Sequence, residues 1–94
     1  MAKELIKMRQ IRSKRISIKS ELKANSEIAV VLRQKITNGW DKPQEESAVR
    51  ACAEMLSNVR ESINREQMAL RILKRELRAY NHAYDLRLSK KTNC

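Results

Sequence analysis

A chain of 94 residues buries only a thin core, and 21 Lys and Arg against 11 Asp and Glu leave it at +10, so its surface must face water or an anionic partner. One glycine, one proline and no phenylalanine argue against a β-sheet protein, which needs frequent turns and aromatic or β-branched strands. The abundant Leu, Arg, Lys, Glu, Ala, Gln and Met lose little side-chain freedom in a helix, so the expected class is all-α.

The opening residues from Met1 to Arg9 lack the continuous apolar stretch of a secretion signal. A first helix is predicted over about residues 2–38. From Met8 its apolar residues alternate steps of three and four through Ile11, Ile18, Leu22, Ala29, Leu32 and Ile36, interrupted at Arg15 and Asn25. That rhythm marks the seam of a coiled coil. Within it, Ala24-Asn25-Ser26 combines a seam asparagine with a residue that favours helix starts, so a kink near Asn25, or a break giving three helices, is the alternative to one continuous rod. The longest apolar run, Ile28 to Leu32, is far short of the roughly 20 residues that cross a bilayer.

A turn is predicted over about residues 39–43. Gly39 adopts the left-handed conformation without steric cost and is expected to stop helix 1 in that way. Pro43 then suits a first helical turn, with Glu45 and Glu46 near the positive end of helix 2. Trp40 is expected either to staple this end or to stand out as an anchor for a partner.

Helix 2 is predicted over about residues 44–88, with a short basic tail at 89–94. Its seam runs through Val49, Cys52, Leu56, Val59, Ile63, Leu70, Leu73, Leu77, Tyr80 and Tyr84, with charged interruptions at Glu66 and Arg87. A short connection folds the helices back as an antiparallel two-helix hairpin. Counting from the turn sets Leu32 against Cys52, Ala29 against Leu56 and Ile18 against Glu66, with Arg15 one turn away. An Arg15–Glu66 pair across the seam, or two side chains reaching out to water, is expected there. Cys52 reads as a small core residue, and Cys94 lies too far along the hairpin to pair with it. Two isolated cysteines fit a reducing, cytoplasmic setting.

Charge is uneven along the hairpin. Residues 1–23 carry +6 and residues 60–94 carry +5, whereas residues 24–59 carry −1. Folding back gathers both basic segments at the open end. The candidate anion-binding residues are Lys7, Arg9, Arg12, Lys14 and Lys19 on helix 1 and Arg71, Lys74, Arg75 and Arg78 on helix 2. No helix-turn-helix punctuation, zinc-ligand set or aromatic stacking face accompanies them, so sequence-specific reading is not expected. A weaker apolar stripe, Met68, Ile72, Ala79, Ala83 and Leu86, suggests partner docking or dimerisation into a four-helix bundle.

His82 is the sole histidine and has no Cys, Asp or Ser at catalytic spacing; a lone glycine cannot build a phosphate loop. The expectation is a protein that is not an enzyme and holds no cofactor or metal. Its partner is then either nucleic acid, or the machinery that handles it, or an acidic protein surface met by a small modulator of a host enzyme.

Overall fold

The computed structural model describes residues 2–92. Two long helices account for nearly all of them: α1, Lys3–Gly39, and α2, Glu46–Thr92, joined through a 3₁₀ turn at Pro43–Glu45. They pack antiparallel as a hairpin with Cα extents of 77 × 16 × 14 Å. The radius of gyration is 21.3 Å, against about 12 Å for a compact domain of this length. α2 continues to Thr92, beyond the point where a tail was predicted, because Ser89 to Thr92 contain no proline or glycine to stop it. Cys94 falls outside the described residues. Among those described, no helix is long and apolar enough to cross a membrane.

The seam is realised residue by residue. From Met8 to Ile36 and from Val49 to Tyr84, every seam position is buried or half-buried. The best-packed part lies toward the turn, where Ala29, Leu32 and Leu56 form a buried cluster with Ile36, Cys52, Val59 and Ile63 around it. Cys52 is a free, half-buried thiol among these apolar groups, as a small core residue should be. Met8 and Ile11 are the buried residues of the open half.

α1 passes through Ala24-Asn25-Ser26 without a break. The Ser26 hydroxyl donates to the Leu22 carbonyl at 2.7 Å, and the Asn25 side chain is drawn across the seam, so neither caps a new helix. Asn25 Nδ2 donates to both carboxylate oxygens of Glu66, at 3.0 and 3.1 Å. Asn25, and not Arg15, is therefore the partner of Glu66. The helices are slid by one to two seam positions from the expected register, for Gly39 also meets Val49. A slide of that size keeps apolar positions opposite apolar positions, so the seam alone cannot fix it. Arg15 stays half-buried with its Nε lacking a hydrogen-bond partner. At the open end Arg87 Nη1 lies 3.1 Å from Glu4 Oε2, an ion contact without hydrogen-bond geometry.

The turn itself departs from expectation. No described residue has positive φ, so Gly39 does not end α1 in a left-handed conformation. The Trp40 N–H bonds to the Ile36 carbonyl at 2.9 Å, and the Lys42 N–H to the Gly39 carbonyl at 3.0 Å. What requires glycine is space. A Cβ at position 39 would stand 3.0 Å from Val49 Cγ2 and 3.2 Å from Glu45 Cβ. Gly39→Ala should therefore lose about 1 kcal/mol, because crowding of about 1–3 kcal/mol outweighs a helix-propensity gain of up to about 1 kcal/mol. Adding Val49→Ala should remove part of that crowding, and urea melts of the single and double variants measure the difference.

Candidate anion-binding face

The two sides of the seam differ in chemistry. On any helix, the residues just before and just after a seam position flank it on opposite sides. In an antiparallel pair, like flanks meet. Glu21, Ala24 and Asn25 line one shallow recess of about 390 Å³ together with Ser62, Arg65 and Glu66. Ala24 and Arg65 each directly precede a seam residue, as do Glu21 and Ser62. A second recess of about 430 Å³ repeats this at the turn, with Lys35 and Asn38 beside Ala48. The residues that precede the seam therefore share one broad face, and those that follow it share the other.

The following face is basic. α1 contributes Arg9, Arg12, Lys19 and Lys23, and α2 contributes Arg60, Arg71, Lys74 and Arg78. Each comes directly after a seam residue, as Arg9 follows Met8 and Lys74 follows Leu73. All are exposed. Among the described residues, none of them enters an ion pair with an acidic neighbour. In the open half of this face Asp85 is the acidic residue directly after a seam position. Toward the turn, Arg33 and Arg50 extend the row, although Arg50 is held by Glu46 at 2.9 Å. Along α2, Arg71, Lys74 and Arg78 rise in steps of about 4.5 and 6 Å. Those steps are of the same order as the axial spacing of phosphates on one strand, about 3.4 Å.

Of the nine cations singled out from the sequence, Arg9, Arg12, Lys19, Arg71, Lys74 and Arg78 are brought together here. Lys7 and Lys14 precede seam residues and stand on the other face, and Arg75 points away from the seam on the back of α2. Lys23 and Arg60 belong to the basic face but are missing from the sequence-level set. Their positions just after Leu22 and Val59 were the available signal.

The preceding face is richer in apolar and small residues. It presents Ile28, Val31, Met55, Ile72 and Leu86, which are 44% to 54% exposed, with Ala24, Ala51, Ala79 and Ala83 between them. Ile72, Ala79 and Leu86 of the predicted docking stripe lie on it, whereas Met68 sits farther round the back of α2, 62% exposed. Trp40 is 72% exposed at the turn, so it does not staple that end. His82 is exposed on the back of α2. Among the described residues, no group of three His, Cys, Asp or Glu converges as a metal site would require. Comparison with known protein families, characterised proteins and solved structures yields no match for this chain.

Proposed function

We propose that the chain is a non-catalytic binding protein that grips nucleic acid through the basic face, using charge attraction to the phosphate backbone and not base reading. The observation that carries this is the row of exposed Arg and Lys, from Arg9 to Lys23 on α1 and from Arg60 to Arg78 on α2, that runs without ion pairs along one long side of a 77 Å rod. A polyanion of regular charge spacing can engage such a row along its whole length, and each phosphate neutralised releases counterions. The absence of aromatic residues from that face favours backbone contact over base stacking. Held by two helices, the cations are positioned without a folding step on binding.

Binding to a duplex of about 20 base pairs, about 68 Å long at 3.4 Å per pair, is the direct test. Affinity is expected to fall by about 10³-fold or more between roughly 50 and 200 mM salt if six phosphates are neutralised. Fluorescence anisotropy at a series of salt concentrations measures the slope. Affinity that does not change over that range, or no binding at the lowest salt, sinks the proposal.

A further inference from the structure

We infer that the preceding face is the seat of a second copy of this chain, packed back to back with the long axes antiparallel. The proposal stands apart from the nucleic-acid reading, since it concerns the opposite side of the hairpin.

The surface of the single hairpin is too large for a self-sufficient fold. It exposes 7581 Å², whereas a compact monomer of 11.0 kDa exposes about 5,600 Å². Among the described residues no side chain is fully buried, and the buried hydrophobics are Met8, Ile11, Ala29, Leu32 and Leu56. The excess of roughly 2,000 Å² is more than the about 800 Å² that each partner hides in a stable complex. A face measured by extents of 77 and 16 Å offers roughly 1,200 Å², so one such face meets the requirement.

Between its charged residues, Lys7, Lys14, Glu21, Lys35, Arg65 and Glu76, the face carries side chains that suit helix-on-helix packing. Ile28, Val31 and Met55 lie in the turn half, and Ile72, Ala79 and Leu86 in the open half. Ile72, Ala79 and Leu86 recur every seven residues, the repeat that keeps a stripe straight along a packed helix. Alanines between the larger side chains let a second layer approach closely.

Charge selects the orientation. Residues 24–59 carry −1, and the two terminal segments carry +6 and +5. A parallel stack would press two strongly basic ends together. An antiparallel stack sets each open half over the nearly neutral turn half of the other copy. A two-fold axis then lays α2 along α2 and α1 along α1 of the mate, so that Leu86 of each chain comes over the Met55 end of the other's α2, a self-complementary contact. Both basic faces point outward, on opposite sides of a four-helix layer.

Sedimentation equilibrium of the full chain, free of nucleic acid, tests the inference. A species of twice 11.0 kDa is expected at micromolar concentration. It should persist or strengthen as salt rises, because salt screens repulsion between two +10 chains. Nucleic-acid binding responds in the opposite direction, so failure of one reading is distinguishable from failure of the other. Ile72→Glu with Leu86→Glu should weaken association at least about 100-fold by placing unpaired charge in the contact. Ile28→Glu with Met55→Glu should do the same from the other half. Ile16→Glu, on the basic face, should leave the dimer intact, and circular dichroism checks that each variant keeps its helix content. A chain that stays monomeric, whether or not this face captures a different protein, overturns the inference. So does a dimer that survives either double variant, or one that is lost with Ile16→Glu.

Discussion

Replacing Arg71, Lys74 and Arg78 together with alanine is expected to weaken duplex binding by about 100-fold near physiological salt, if each phosphate contact contributes about 1 kcal/mol. The same variant should reduce the slope of log affinity against log salt by about 2.7, or about 0.9 per lost contact. All three residues are exposed and follow the seam on one face, so alanine removes charge without opening the core. Alanine is also the best helix former, which protects the scaffold. The matched comparison is Lys7→Ala, Lys14→Ala and Lys35→Ala on the opposite face. It lowers the net charge by the same amount and should cost less than about 3-fold, because those cations are aimed away from the bound strand. Equal losses in the two triple variants would mean that overall charge, not the basic face, governs binding.

The second large effect concerns the core. Leu32→Ala should destabilise the hairpin by about 2–5 kcal/mol and lower the melting temperature by at least about 10 °C. Leu32 is 5% exposed and sits in the cluster with Ala29 and Leu56, with Ile36, Cys52, Val59 and Ile63 packed against it. Leu73→Ala is the control. It removes the same atoms from a half-buried seam position in the open half, and about 1 kcal/mol is expected there. Thermal melts followed at the helix signal read both values. If the two substitutions cost the same, the turn-end cluster is not the principal packing site.

The helices and their seams were legible because an apolar step of three and four residues can be satisfied in only one way, by burying that stripe against another. Register was not legible in the same pattern. Sliding α1 along α2 by a seam position leaves Leu, Ile and Val facing one another, so the choice falls to local geometry. The 3₁₀ turn at Pro43–Glu45 and the close passage of Gly39 by Val49 make that choice, and Asn25 then reaches Glu66. Gly39 misled in a second way, because glycine suits both a left-handed residue and a crowded one, and composition does not distinguish them. Asn25 and Ser26 signalled a helix start that did not occur, since one found a carboxylate across the seam and the other a carbonyl one turn back. For the candidate site, reading cations as i, i+3, i+4 clusters on each helix separately mixed two faces. Taking each cation's place relative to the nearest seam residue separates Lys7 and Lys14 from Arg9 and Arg12.

The rule that each basic-face cation directly follows a seam residue also sets how this rod can change in length. Inserting seven residues into each helix at the same level lengthens it by about 10 Å and keeps the cations in one row. Inserting three or four in one helix alone leaves the seam nearly closed but changes which layers meet, and Asn25 then loses Glu66. An insertion of two swings everything beyond it by about 200°, turning cations inward and leucines outward. Growth or shortening of such a molecule is therefore quantised in paired heptads, and its reach along a polyanion comes in steps of about 10 Å.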